Sequence, residues 1–300
     1  MVNDSRFGTI SIVGGTGALG GGLARRWARA GIPVIIGSRD AARAETAASE
    51  LRAAFPGATV RGMANLEAAR AADVVVLTVP FSHQRPTLEE IRAGLPGKIL
   101  VDTTVPLVPP RVAKVQLPPE GCAALIAQHI VGEHVTVVAA FHNVSADSMQ
   151  SDDALDCDVL VTGNKAEARE IVVGLAKTAG LRAWHAGSLE NAAAAEALTS
   201  VLIFMNKRYG GLHTGISITG IAPAMYGRDP RRRARQRRAP ATDRSRTSRR
   251  RRHVRGGRRC HTRQVPRSCP RQSARRGEAR ASDRQGRHLR HRRHLAQTLA

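Results

Sequence analysis

The chain has 300 residues, which is enough for one large domain or two modest domains with proper cores. Its formal net charge is +23, and this charge is confined to one end. Residues 223–300 contain 27 of the 47 basic residues, all of them arginine, and only 4 of the 24 acidic residues. Residues 1–222 are therefore neutral overall, so the basic balance does not mark the body as a nucleic-acid-binding protein.

The sequence contains no targeting or membrane-spanning pattern. Its first residues lack the basic and apolar regions of a signal peptide. No apolar run approaches the roughly 18 residues that cross a bilayer. The four cysteines show neither a disulfide framework nor metal-ligand spacing, and they are expected to be ordinary thiols. These features predict a cytoplasmic protein with no metal site and no membrane partner.

A glycine cluster follows the first apolar run, residues 10–13. Gly15, Gly17 and Gly20 fit the pattern G-x-G-x-x-G between a predicted strand and a predicted helix. In that pattern the first glycine allows a tight turn, the second lets the backbone approach a pyrophosphate, and the third lets the helix pack on the strand. Free N–H groups at the helix start would face the phosphates. The cluster therefore predicts a dinucleotide site, the alternative being an ordinary glycine-rich turn.

The end of the second predicted strand, residues 32–37, indicates which dinucleotide binds. Ser38 and Arg39 follow the strand, and Arg43 lies one helical turn further on. A carboxylate here would hold the ribose of NAD, whereas a hydroxyl and a guanidinium suit the 2′-phosphate of NADP. Asp40 fits a helix N-terminus that faces away from the nucleotide. The pattern favours NADP, the alternative being a solvated basic helix start.

Strands and helices then alternate, which predicts an α/β fold with a Rossmann-like, doubly wound parallel sheet. Further strands are predicted at residues 59–62, 73–80, 99–102 and 135–140, with helices at 66–72 and 87–95. A smaller α/β segment follows, with strands at 158–162 and 181–185 and helices at 166–179 and 190–208. In the last helix, Leu198, Val201, Leu202 and Met205 are predicted to form one apolar face. Alternation at Ile216 and Ile218 suggests one more strand.

The predicted domains are therefore an NADP-binding Rossmann domain at 1–146, a smaller substrate-binding domain at 147–222, and a tail at 223–300. The tail has no hydrophobic period and is predicted to be disordered. It could bind nucleic acid nonspecifically through phosphates. Arginine without lysine, and the loss of Ile and Phe, are also typical of a GC-rich gene read out of frame. We therefore favour the hypothesis that the tail is a frameshift or readthrough product without a selected function.

Residues 8–221 resemble the family of NADPH-dependent coenzyme F420 reductases. The resemblance rests on an ordered set of motifs, which are residues 14–20, 37–39, 77–81, 141–143, 196–199 and the glycine-rich segment 210–221. It implies reversible hydride transfer between NADP and the 5-deazaflavin coenzyme F420, and it makes residues 147–222 the deazaflavin-binding domain.

The resemblance also implies roles for individual residues. The pyrophosphate would contact Thr16, Gly17, Ala18 and Leu19, and the 2′-phosphate would contact Ser38, Arg39 and Arg43. The nicotinamide side would be lined by Val79, Phe81 and Ala146, and the deazaflavin pocket would include Thr214. Pro80 joins the cofactor-binding residues because it ends its strand at the carboxyl edge, where such sheets bind ligands.

No acid–base dyad stands out in the sequence. Hydride transfer between two cofactors needs stacked rings and exclusion of water more than an acid or a base, because the reactive atoms belong to the cofactors. His142, at the carboxyl end of the strand predicted at 135–140, could polarise or position a ring carbonyl. The alternative is a hydrogen-bonded wall residue without a catalytic role.

Two other functions remain open from the sequence. One is an NADP-dependent reductase of a small imine, keto acid or metal chelate. The other is a non-enzymatic NADP-binding protein that uses its arginine-rich tail on nucleic acid. The expected partners are the small-molecule cofactors NADP and F420, with a homodimer left open.

Overall fold

The computed structural model describes residues 7–153, 155–210 and 213–221. Its central feature is an eight-stranded sheet in the order β3-β2-β1-β4-β5-β6-β7-β8. The strands are β1 Ile10–Val13, β2 Val34–Ser38, β3 Val60–Ala64, β4 Val74–Leu77, β5 Ile99–Asp102, β6 Thr136–Ala139, β7 Asp158–Gly163 and β8 Arg182–His185. The helices are α1 Ala18–Arg29, α2 Ala41–Ala54, α3 Asn65–Arg70, α4 Phe81–Ile91, α5 Ala123–Val131, α6 Ala166–Thr178 and α7 Ala192–Tyr209.

The strand pairings confirm the predicted Rossmann-like parallel sheet. All the pairs are parallel except β6 with β7, which run antiparallel over a short register. Every residue of β1 and β4 is buried, and both strands are mostly apolar, because helices cover both faces of the sheet. Ile12 packs into the core on one face and the next residue, Val13, into the core on the other. The carboxyl ends of β1, β2 and β4 therefore share one rigid edge.

Helix α4 begins six residues earlier than predicted. Its predicted start at residue 87 comes directly after Pro86, and proline is disfavoured in helix interiors. In the structure Pro80 is the N-cap, Phe81 is the first helical residue, and Pro86 lies inside the helix. Because proline has no N–H, the carbonyl oxygen of Ser82 has no donor within the helix. Ser82 and Pro86 are both exposed, so water can donate to that oxygen. The helix therefore starts directly at the carboxyl edge of β4.

Helix α7 does not bury the predicted apolar face. Leu202 is buried, but Val201 and Met205 are 42% and 38% exposed, and Leu198 is only partly buried. The helix instead packs a face of small and polar residues, which are Ala192, Ala195, Glu196 and Ser200 together with Leu202. The four residues do share one face of the helix, as predicted, but most of that face is not the one that packs against the sheet, which residue type alone does not reveal.

The predicted strand at Ile216 and Ile218 is also wrong, because residues 213–221 contain no strand. Two bonds hold this segment against the start of β7 instead of a ladder. The Asp158 N–H donates to the Ile216 carbonyl oxygen at 2.8 Å, and the Asp158 carboxylate accepts from the Ile218 N–H at 2.6 Å. No element was predicted for residues 123–131, where the structure has α5.

The sheet continues through β7 and β8, so the predicted boundary between residues 146 and 147 stays a prediction. The predictions for the tail, residues 223–300, lie outside the described residues. Among the residues that the structure describes, no helix is both long and apolar enough to cross a membrane.

Candidate functional site

A cleft of about 530 Å³ opens at the carboxyl edge of β1, β2 and β4. This is where open α/β sheets bind ligands, because the strand order changes direction at β1 and β4. Seven of the predicted cofactor residues line it, which are Thr16, Gly17, Ser38, Arg39, Arg43, Val79 and Pro80. Six further residues also line it, which are Gly14, Asp40, Asn65, Thr78, His83 and Thr87. Together they form a single continuous surface around the start of α1.

The glycine cluster brings α1 very close to the sheet. A Cβ atom on Gly20 would lie 2.5 Å from Thr78 Oγ1 and 2.8 Å from Gly15 Cα, so only glycine fits there. A Cβ on Gly15 would lie 2.8 Å from the Ile12 carbonyl oxygen. Within this cluster it is Gly14 that has a left-handed backbone conformation, with φ of +81°. The motif assigns roles to Gly15, Gly17 and Gly20 but none to Gly14.

The N-terminus of α1 is left free for a ligand. Gly17 is the N-cap and has no side chain to cap the helix, and the first turn contains no acidic residue. The first N–H groups of a helix have no intrahelical acceptor, and the helix dipole favours an anion beside them. Thr16 and Gly17 line the cleft at this point. The arrangement suits a phosphate group.

A second anion-binding feature follows β2. Arg39 and Arg43 are exposed and line the cleft, and within the described residues neither guanidinium has an ion-pair partner. Ser38 is buried, and its Oγ accepts a hydrogen bond from the Asp40 N–H at 3.2 Å. Two free guanidinium groups beside a hydroxyl fit a phosphate monoester.

Asp40 caps α2 as predicted but does not face away from the cleft. Its carboxylate accepts from the backbone N–H groups of Ala42 at 2.9 Å and Arg43 at 3.3 Å. Asp40 nevertheless lines the cleft beside Arg39. Because the carboxylate is committed to the helix N-terminus, part of its charge is compensated there.

Asn65 is a cleft residue that the sequence patterns missed. It follows β3, its Nδ2 contacts Glu90 Oε2 at 3.4 Å, and its buried Oδ1 has no partner among the described residues. An unpartnered buried acceptor in a cleft is an available ligand contact. Its position at the end of the strand next to β2 was the only signal that could have found it.

His142 lies just beyond β6 and is almost completely buried. Burial lowers its pKa to about 4, so the imidazole is neutral near pH 7. Neither ring nitrogen has a hydrogen-bond partner among the described residues, and His142 does not line the cleft. Its backbone carbonyl accepts from Thr199 Oγ1 at 2.9 Å. A neutral imidazole can hydrogen-bond a ring carbonyl but is a poor acid at pH 7.

The remaining predicted residues lie outside the lining of this cleft, and they are Gly15, Ala18, Leu19, Gly20, Phe81, Ala146 and Thr214. Phe81 lines a separate cavity of about 450 Å³ between α4, α5 and the loop that precedes α5. Thr214 is held by α7, because its Oγ1 donates to the Leu202 carbonyl oxygen at 3.2 Å. The segment after β6 and the terminal segment meet where Ser145 Oγ lies 2.8 Å from His213 Nδ1.

Two buried carboxylates lie behind the site, at the end of β5 and on α7. The Glu196 carboxylate accepts from the N–H groups of Ala123 at 2.7 Å and Ala124 at 3.1 Å, at the start of α5. Burial and the nearby Asp102 raise the pKa of Glu196 to about 8, and burial raises that of Asp102 to about 6. Glu196 therefore connects α7 to α5 while holding a proton near neutral pH.

The sheet, the uncapped start of α1 and the two free guanidinium groups define a Rossmann-type dinucleotide-binding protein with a subsite for an additional phosphate. A family profile described as NADP oxidoreductase, coenzyme F420-dependent, matches residues 9–106.

Curated relatives extend the match over most of the described chain. The F420-dependent NADP reductase of Methanocaldococcus jannaschii is 38% identical over 221 residues, which are 71% of this chain and 98% of that protein. The enzyme of the same name from Methanothermobacter thermautotrophicus is 43% identical over 71% of this chain and 95% of that protein. A solved structure of a hypothetical protein from Sinorhizobium meliloti superposes with a TM-score of 0.50 at 26% identity, covering 62% of this chain and 86% of that one. The chain belongs to the family of F420-dependent NADP reductases.

Proposed function

We propose that this protein transfers a hydride reversibly between NADP(H) and coenzyme F420. The observation that carries the proposal is the phosphate-binding cleft, with Arg39 and Arg43 free beside an uncapped α1, in a chain that spans almost the whole length of reductases with that name. The donor groups in the cleft match the pyrophosphate and the 2′-phosphate of NADP.

In this proposal each part of the site has one task. Thr16 to Leu19, which lead into α1, hold the pyrophosphate, and Ser38, Arg39 and Arg43 hold the 2′-phosphate. Val79, Phe81 and Ala146 are assigned to the nicotinamide side, with Phe81 at the cavity next to the cleft. Pro80 binds the cofactor at the carboxyl edge of β4, and Thr214 belongs to the deazaflavin pocket. The cofactors supply the reacting atoms, so the protein's contribution is to align the two rings and exclude water.

A positioning role for His142 rests on its neutral imidazole, whose two nitrogens have no partner in the described part of the chain. Both nitrogens are buried and His142 does not line the cleft, so we assign it to the wall behind the ring site and not to a direct contact with the NADP cleft. The lack of a hydrogen-bond partner also argues against the alternative of a hydrogen-bonded wall residue.

The test is to mix purified protein with NADPH and oxidised F420. We expect both to be consumed together, with loss of the visible absorption of the deazaflavin, and neither to react alone. His142→Ala should slow turnover modestly, because no obligatory proton transfer is assigned to it. Turnover of a small imine, keto acid or metal chelate without any reaction of F420 would instead favour the second enzyme class.

A second copy of the chain is the proposed macromolecular partner. Val201, Phe204, Met205 and Tyr209 lie on one side of α7 by their spacing and are 38% to 75% exposed. An apolar stripe of this kind suits a symmetric interface, in which α7 of each copy packs on the other. Light scattering should report a dimer that Phe204→Glu converts to a monomer, and a monomeric unsubstituted protein would refute the interface.

Two further proposals concern the setting of the protein. Both described cysteines, Cys122 and Cys157, are free, which is consistent with a reducing cytoplasm.

Any binding of nucleic acid is assigned to residues 223–300 alone, and it should weaken steeply with salt because it depends on phosphate charge.

A further inference from the structure

Residues 145–153, which we call the strap, follow the end of β6 and lie against α1. The strap contains a single 3-10 turn, Ser148–Gln150. It has no regular ladder or helix of its own, so its position depends on contacts with α1.

Arg26 is the main contact between α1 and the strap. Its side chain is 8% exposed, and its guanidinium donates to the carbonyl oxygens of strap residues 148, 149, 151 and 153 over 2.6 to 3.4 Å. It also donates to the Ala179 carbonyl oxygen, at the end of α6, at 3.0 Å. All three nitrogens of the planar guanidinium take part, and the two hydrogens of Nη2 are shared among three of the carbonyl oxygens, whereas a lysine ammonium has only three donors on one atom.

Two closer contacts fix the register of the strap along α1. A Cβ atom on Gly22 would lie 2.5 Å from Met149 Cβ, so the glycine allows the strap to approach the helix backbone. Gln150 Nε2 donates to the carbonyl oxygen of Ala18, the first residue of α1. Asp152 also pairs with Arg25 and Arg29, but these exposed ion pairs contribute little.

The two ends of this arrangement belong to different parts of the site. Ala18 opens α1, whose N-terminus faces the cleft. At the other end Ser145 contacts His213, which immediately precedes Thr214. The strap therefore connects the phosphate-binding helix α1 to the terminal segment at His213. It also continues directly from residues 142–144, just beyond β6.

We infer that Arg26 is a positioning residue for hydride transfer. It does not line the cleft, so it acts through the strap, which sets the separation between the bound NADP and the segments 142–146 and 213–214. This inference rests on the proposed function. Loss of Arg26 should then misplace the second ring while leaving the phosphate contacts of NADPH in place.

The test compares Arg26→Gln and Arg26→Lys with the control Arg29→Gln, which removes only an exposed ion pair. Hydrogen exchange of the strap should be faster in both Arg26 variants without any cofactor bound, and unchanged in the control. The kcat for reduction of F420 should fall by about 10- to 100-fold, since a misplacement near 1 Å has that effect. The Kd for NADPH should stay within about twofold of the unsubstituted protein, because the phosphate contacts are untouched.

Unchanged strap exchange, an unchanged kcat, or an NADPH affinity that falls in parallel with kcat would each overturn the inference. If Arg26→Gln does not fold, Arg26→Lys and Gln150→Ala decide the question. Gln150 is exposed, and its loss should give a smaller change in the same direction. An unsubstituted protein that is inert towards F420 would refute the proposed function, whereas an active protein insensitive to Arg26→Lys would refute this inference alone.

Discussion

Arg39 is the residue whose side chain we expect to decide between NADP and NAD. It is exposed, lines the cleft and has no ion-pair partner within the described residues, so its charge is available to the 2′-phosphate. Arg39→Glu replaces a charge-assisted hydrogen bond with repulsion. NADPH affinity should fall by about 10- to 100-fold, which corresponds to the roughly 1.5–3 kcal/mol of such a bond. NADH affinity should change much less.

Titration of NADPH and NADH into both proteins, followed by fluorescence, measures this preference. Arg61→Glu is the matched control, because Arg61 is exposed on β3 and does not line the cleft. Equal affinities for NADH and NADPH in the unsubstituted protein would contradict the assignment of Arg39.

Single residues differ in how far the sequence predicts them. Ser38, Arg39 and Arg43 follow a recognisable strand and a known motif, so local pattern was enough to place them at the same edge of the sheet, where they line the cleft. Asn65 enters the cleft only because β3 lies next to β2, which is a property of the folded sheet. The burial of His142 likewise depends on tertiary packing, since Thr199 of α7 contacts its backbone beyond the end of β6, which no local pattern records.

At the scale of secondary structure elements, Glu196 on α7 links that helix to the start of α5. Its pKa is about 8 in the folded protein, against an ordinary value of 4.5. The folded protein therefore holds a proton that the unfolded chain releases, and this contribution to stability is lost as pH rises from 4.5 through 8. The other two groups near the site with shifted pKa values affect stability at lower pH. Burial raises the pKa of Asp102 only to about 6, and it lowers the pKa of His142 from 6.5 to about 4.

Glu196→Gln should remove this pH dependence because glutamine has the same shape and does not titrate. Between pH 6.5 and 8 the Tm of the unsubstituted protein should fall as pH rises, and that of the variant should change less. Calorimetry at several pH values measures both, with the exposed Glu133→Gln as the control. A variant whose Tm falls as steeply as that of the unsubstituted protein would contradict a protonated Glu196.

The elements themselves were predicted in proportion to the strength of their local patterns. β1 and β5 have their predicted bounds, and β4 and β6 differ from prediction by one to three residues at their ends, because buried parallel strands are mostly apolar runs. Helix α4 was predicted only from residue 87, whereas in the structure it begins at Phe81 and contains Pro86 on an exposed turn. The buried face of α7 required knowledge of the sheet and could not be read from residue type.

At the scale of the whole molecule, charge divides the chain near residue 222. The part of the chain before that point is neutral and already contains the segments that resemble the family, and the relatives align over 71% of the chain. We therefore expect a protein cut after Ile221 to keep NADPH binding and hydride transfer. It should also be more soluble in the presence of nucleic acid, because the arginine-rich residues are gone.

Assays of the full and shortened proteins side by side test this expectation. The coding sequence offers a second test, since another reading frame across codons 223–300 should encode a protein-like sequence with ordinary use of Lys, Ile and Phe. Loss of activity on truncation, without such a frame, would make the tail a working part of the enzyme.

The central claim is direct hydride transfer between two cofactors that the protein aligns. The most direct measurement uses NADPH carrying deuterium at the transferred position of the nicotinamide, with oxidised F420 in ordinary water and mass spectrometry of the product. The account predicts one reduced F420 formed per NADPH consumed, with the deuterium retained in the reduced deazaflavin. Loss of the deuterium to water, or oxidation of NADPH without reduction of F420, would contradict it.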